Sequence, residues 1–288
     1  MTKNTPLTKV SRLGVLCLGF FVAMICVYAI RDNLITDPNS TLVAQKSSTQ
    51  DAGPKKATIS EQAKTNTPNF AAFKDVVAKK EAFFGFLRPM ITRQNVLISN
   101  EQEQIVELNT RLNNGQQLSQ VDIQLFDKLA KKYKVFDEEI NTQSLDSLLR
   151  KIDVVPESLV LIQAANETGW GSSRFALKGN NFFGQWCFKE GCGLVPLSRT
   201  SGLKHEVAVF DSVEDSVASY MNNLNTNAAY KQLRNIRYEL REEGAKPKAD
   251  DLIHGLINYS ERKEEYVNEL LNMLRHNEKY LVTTNALQ

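Results

Sequence analysis

Apolar residues recur at helical spacing from Phe70 onward: Phe73, Val76 and Val77, then Phe83, Phe84, Phe86 and Leu87. Positions three or four apart share one face of a helix, so the pattern predicts a helix with one stripe turned to a core. Pro89 predicts a kink or boundary there, because proline lacks the amide and crowds the carbonyl four residues back. The same periodicity predicts further helices over Ile91 to Asn113, Ser119 to Tyr133, Gln143 to Lys151 and Glu157 to Glu167. Between Asn181 and Phe210 it gives way to aromatic and β-branched runs broken by Gly191, Gly193, Pro196 and Gly202. That stretch predicts a β-hairpin or three short strands. Helical spacing returns over Val213 to Leu224, Tyr230 to Glu243, Ala249 to Tyr259 and Glu264 to Asn277, with no internal repeat. The fold class expected is therefore α+β and mainly α, a helical body with a small β-lobe inserted mid-chain.

The first thirty residues follow another pattern. Lys3, Lys9 and Arg12 precede an uncharged apolar run of 18 residues, Leu13 to Ile30. A run of about 17–25 apolar residues spans a bilayer, whereas the apolar core of a cleaved signal is about 7–15. The chain is expected to hold an uncleaved membrane anchor over residues 1–31. Processing after Ala29 is the alternative, since Val27 and Ala29 are small. A basic N-terminus stays cytoplasmic, which exports the rest and makes the inner membrane a partner of a periplasmic domain, or a secreted one if the segment is cleaved. Residues 32–69 are rich in Thr, Ser, Lys, Ala, Gln and Pro, with no aromatic residue. They read as a flexible linker to a domain over 70–284.

Composition changes little. Of 288 residues, 42% are hydrophobic and 24% charged, which is ordinary for a globular chain with a sizeable core. The net charge of +2, with both signs interspersed, gives no electrostatic footprint for nucleic acid. Cys17 and Cys26 lie in the apolar run. Cys187 and Cys192, spaced across a glycine-containing turn in an oxidising compartment, suit a small-loop disulfide. Zinc is the competing reading, but the histidines that would complete a site, His205, His254 and His276, are scattered. No metal or cofactor is expected.

The richest stretch runs from Pro156 to Phe175. Pro156 suits a helix start, and Gly169 with Gly171 suits its end. Val160, Ala164 and Glu167 share a face, which sets a carboxyl at the end of apolar, small-residue surroundings. Desolvation there raises a carboxyl pKa, and a carboxyl kept protonated is what a glycosidic leaving oxygen requires. A glutamate capping the helix end or pairing with Arg174 fits the same spacing, so spacing alone does not separate catalyst from surface residue.

The string Ala165-Asn-Glu-Thr-Gly-Trp-Gly-Ser-Ser173, followed by Gly179-Asn-Asn-Phe-Phe-Gly184, resembles two motifs of the glucosaminidase family, glycoside hydrolase family seventy-three. Tyr259-Ser260, then Tyr266-Val267 and Leu270-Leu271, are similar to that family's closing motif. Phe83 to Pro89 and the residues from Asn95 on resemble its Bax-type branch. The likeness covers about residues 70–280 and implies a lysozyme-like fold. It also implies hydrolysis of the β-1,4 bond between N-acetylglucosamine and N-acetylmuramic acid in peptidoglycan glycan strands. Glu167 matches the family's acid, Trp170 and Phe183 match cleft-floor positions, and Tyr259 matches a tyrosine near the scissile sugar. Asn181 is a further substrate-binding candidate, although turn formation is the default for it, while core packing explains Trp170 equally well and Phe183 better. Many members carry a second glutamate where this chain reads Leu197-Ser-Arg-Thr-Ser-Gly202. Glu190 and Glu206 are the nearest replacements, and attack by the substrate's own acetamido group would need neither. A muramidase or lytic transglycosylase and a non-catalytic wall-binding module are the competing functions.

Overall fold

A computed structural model describes residues 67–281 apart from 138, 198 and 200–203. The expected anchor over residues 1–31 and nearly all of the linker over 32–69 lie outside the described residues. Among the described residues, no helix is long and apolar enough to cross a membrane.

Helix α1, Val76–Asn113, opens on Asp75, whose side chain accepts from the Ala78 amide. It continues through Pro89, so the boundary that the sequence pattern allows there, as the alternative to a kink, does not form. Phe83, Phe84 and Leu87 before the proline and Ile91 and Ile98 after it are all buried. Each such side chain gains about 1.5–3 kcal/mol on burial, so a face continuous across Pro89 outweighs the roughly 3 kcal/mol that a mid-helix proline costs.

Helices α2 (Gln120–Tyr133) and α3 (Thr142–Leu149) follow, each opened by a capping box. Helix α4 (Glu157–Thr168) is buried almost all round from Leu159 to Ala165, as befits the central element of a bundle. Next come α5 (Arg174–Gly179) and the strands β1 (Trp186–Cys187), β2 (Gly193–Leu194) and β3 (Glu206–Ala208). The antiparallel sheet has the order β1-β3-β2, with Trp186 and Leu194 both opposite Val207. Helix α5 is a correction: the glycines that end α4 hid a short helix behind them, started by the Ser173 hydroxyl accepting from Ala176.

The helical body closes with α6 (Val213–Thr226), α7 (Lys231–Glu242), α8 (Ala249–Ile253), α9 (Glu264–His276) and α10 (Glu278–Leu281). Helix α4 packs against α1, α8 and α9. The helix expected to reach Tyr259 stops at Ile253 and tightens into a 3₁₀ turn, His254–Leu256. Gly255 allows this close approach, since a Cβ there would lie 2.3 Å from the Leu233 Cα. The fully buried Arg237 ties α7 to the loop before α4 through the Asp153 and Lys151 carbonyls, and to α6 through Asn225.

Candidate active site

Glu167 occupies the penultimate position of α4. The chain then turns sharply: Gly169, Trp170 and Gly171 follow one another at φ 54°, 61° and 74°. Left-handed backbone suits glycine and strains tryptophan, so the turn must be held from outside. Thr168 does part of this, its hydroxyl donating to Ala164 O at 2.6 Å and accepting from the Gly171 amide at 2.8 Å. The Trp170 ring does the rest by lying on α1, 5.7 Å from Phe83 and 5.2 Å from Phe84, with the Lys80 ammonium 5.1 Å above it. Trp170 thus braces the helix exit. It lines a second cavity of about 790 Å³, which shares Asn166, Arg262 and Glu269 with the one that holds Glu167.

The Glu167 carboxyl meets one hydroxyl: Tyr266, on α9, donates to Oε1 at 2.8 Å. The Tyr266 oxygen in turn accepts from Gln163 Nε2 at 3.0 Å, and Gln163 Oε1 accepts from the Tyr220 hydroxyl. Two ring stacks flank this chain of bonds. Tyr259 lies parallel to Tyr266 at 5.3 Å and donates to Phe183 O at 2.8 Å, while the Phe183 ring stacks on Tyr220 at 4.0 Å. Beside Oε2 is Gly184, where a Cβ would stand 3.5 Å away.

Electrostatics follow from this packing. Burial pushes the Glu167 carboxyl above the usual carboxylate range, the Tyr266 hydrogen bond pulls it back, and the nearby charges of Glu269 and Arg262 oppose each other. Burial also lifts Tyr220, Tyr259 and Tyr266 well above their ordinary value and Tyr230 to about 12. Near neutral pH the tyrosines are therefore uncharged donors.

Glu167, Phe183, Tyr259 and Tyr266 meet in a cavity of about 770 Å³. Gln185, Asn222, Asn223 and Asn227 give it an uncharged amide wall, and Trp186 and Phe188, 50% and 81% exposed, give it an aromatic rim. Amides that bond hydroxyls and rings that cover C–H faces suit a sugar chain.

The other candidates lie elsewhere. Asn181 is buried, and both ends of its amide are occupied: Nδ2 donates to Gln185 O and Ala208 O, and Oδ1 accepts from the Phe183 and Gln185 amides. It fastens the Phe183 loop to the sheet instead of meeting a ligand. Glu206, 4% exposed, accepts from the Gly191 amide at 3.1 Å and the Gly193 amide at 2.8 Å, which hold its carboxyl below the usual range. Glu190 is exposed in the turn above it. Neither lines the Glu167 cavity, so the base expected of the β-lobe is not where the acid is. Cys187 and Cys192 are joined as a disulfide, Cα atoms 6.2 Å apart. Their sulfurs and Glu206 form the one cluster of potential metal ligands among the described residues, and disulfide sulfurs are not thiolate ligands.

Gln163, Tyr220, Trp186 and Phe188 escaped the sequence reading. Gln163 did leave a signal, a lone polar residue in an apolar run one turn before Glu167. Tyr220 left none.

Residues 142–279 match the glucosaminidase family, described as mannosyl-glycoprotein endo-beta-N-acetylglucosaminidase. Protein bax of Escherichia coli strain K12 is 30% identical over 283 residues, covering 96% of this chain and 98% of that protein. The chain belongs to the glucosaminidase family, in its Bax-type branch. Its class of activity is accordingly glycoside hydrolysis. No solved structure matches the chain. The family's matched segment holds Glu167, Phe183, Tyr259 and Tyr266, yet omits α1, the helix on which Trp170 and α4 rest. This glucosaminidase therefore depends on residues well before its family segment for the shape of its site.

Proposed function

We propose that the chain hydrolyses the β-1,4 bond after N-acetylglucosamine in peptidoglycan, with Glu167 as general acid. One observation carries this: Glu167 faces an amide-walled cavity and is held there by a hydroxyl, and burial raises its carboxyl above the usual carboxylate range. A protonated carboxyl can give its proton to the glycosidic oxygen as the bond breaks, and the neutral tyrosine then bonds the carboxylate left behind. Trp186 and Phe188 offer stacking faces to flanking sugars. The apolar run Leu13 to Ile30 supports an envelope location with the domain outside the inner membrane.

Digestion of purified wall by the full chain, read by mass analysis, tests the reading. Fragments with reducing N-acetylglucosamine ends are expected. Reducing or anhydro N-acetylmuramic acid ends would make the chain a muramidase or lytic transglycosylase, and no release at all would make it a wall-binding module.

A further inference from the structure

Hydrolysis by an acid alone leaves the attacking water without a base. Glu206 is bound to amides and Glu190 lies outside the cavity. Glu214 is paired with Arg93 at 2.8 Å, and Asp215 belongs to the Ser212 cap of α6. Among the described residues, the one carboxylate besides Glu167 that lines the cavity is Glu269. It stands on α9 three residues after Tyr266, and residues so spaced share a helix face. The helix that presents the hydroxyl to Glu167 therefore presents Glu269 to the same space. Glu269 is half-buried and open to water, and Arg262 bonds its Oε2. No donor among the described residues reaches Oε1. The Arg262 charge also offsets repulsion between two carboxylates at one cavity.

Resting on the reading of Glu167 as acid, we propose that Glu269 is the second catalytic carboxylate, the base that takes a proton from the attacking water. Glu167 gives its proton to the glycosidic oxygen as the bond to the anomeric carbon breaks. The water oxygen bonds that carbon from the opposite face, and one of its protons passes to Glu269. Glu167 ends ionised and Glu269 protonated, and one proton exchanged through solvent restores both. The β-linked substrate yields an α-configured reducing end. Arg262 is a positioning residue that fixes the Glu269 carboxylate.

The test uses the full chain on purified wall glycan, with the first-formed anomer read by NMR. Glu269→Gln is expected to lower kcat at least about 100-fold, with KM and melting temperature little changed. Azide is expected to restore turnover to Glu269→Ala, giving an α-glycosyl azide. If Glu269→Gln keeps more than half of wild-type turnover while Glu167→Gln is dead, this inference falls and the Glu167 reading stands. If Glu167→Gln also keeps its turnover, that reading falls first. A retained β-anomer overturns water activation by Glu269 even if the variant is inactive. Should Glu269→Gln melt early, Glu269→Asp asks the same question in a folded protein, and wild-type turnover there overturns the proposal.

Discussion

Glu167 in the helical body and Glu206 in the β-lobe are both withdrawn from water, and their surroundings treat the carboxyl in opposite ways. Glu206 is met by two backbone amides, Gly191 in the turn that the disulfide closes and Gly193 just beyond it, so burial is more than offset and its pKa falls. Glu167 is met by one hydroxyl, and the charges of Glu269 and Arg262 oppose each other, so burial wins and its pKa rises. The first is a locked anion that fastens a turn to β3; the second can hold and release a proton. Burial alone does not mark an acid. The number and kind of donors decide it.

The largest effect that can break this comparison is on turnover. Glu167→Gln keeps the shape and the bond from Tyr266 but carries no transferable proton, so kcat should fall about 10²–10⁴-fold with folding intact. Glu206→Gln should change kcat by no more than roughly threefold on the same scale. Parallel kinetics on soluble wall fragments check both, and a reversed ranking would hand the acid's role to the β-lobe.

Next in size is Tyr266→Phe. Its hydroxyl donates to the carboxylate and favours the ionised form, so without it Glu167 holds its proton to higher pH. The alkaline limb of kcat/KM should move up. Gln163 also loses an acceptor inside the core, which should lower stability by about 1–3 kcal/mol. A limb that stays put or moves down in the pH-rate profile would uncouple Tyr266 from the acid.

These two regions also differ in how far the sequence discloses them. Helical periodicity marked α2, α6, α7 and α9, because each lays an apolar face on one core, and α4 was marked by its apolar run between Pro156 and Gly169. It could not tell that the helix continues past Pro89, since the gain from burial on both sides of the proline is a tertiary quantity that no local rule contains. Glu167 could be placed at an apolar helix end from its spacing, and it could be singled out only through the family motif around it, which is contiguous in the chain. Its partners could not: Tyr266 lies 99 residues away, and the Tyr220 to Gln163 bond spans 57. Glu206 was a candidate base because it lies near the place of the missing second glutamate, and only the fold turns its carboxyl onto Gly191 and Gly193. Glu269 carries no local signal, for a glutamate on an amphipathic helix is ordinarily solvated.

A smaller effect belongs to the β-lobe. Closing so short a loop contributes about 2 kcal/mol of chain entropy, so Cys187→Ser with Cys192→Ser should lower the melting temperature by several degrees while leaving most of the turnover. The amides that hold Glu206 lie in and beside the loop that the disulfide closes, so its pKa should rise toward the ordinary value in the double variant. Loss of turnover as deep as that of Glu167→Gln would mean that the lobe takes part in the chemistry.

The subtlest test reads both carboxyls through the pH dependence of stability. For Glu167 the folded pKa lies above the unfolded one, so the folded state holds the proton more readily. Stability then falls as pH rises from the unfolded value through the folded one, and the full penalty is present above it. Glu167→Gln removes that penalty and should melt higher than wild type near pH 7, with the gap closing toward pH 4. For Glu206 the folded pKa lies below the unfolded one, so its contribution is present above the unfolded value and is lost as pH falls through the folded one. Glu206→Gln should therefore melt lower than wild type near pH 7, and that gap too should narrow on acidification. For a domain of this size 1 kcal/mol is about 2–4 °C, so the differences are within reach of calorimetry on the full chain at several pH values. Two gaps of opposite sign that close in the same direction are what the two environments require. Gaps of the same sign would mean that donors and burial balance alike at both glutamates, and the contrast between acid and anchor would be lost.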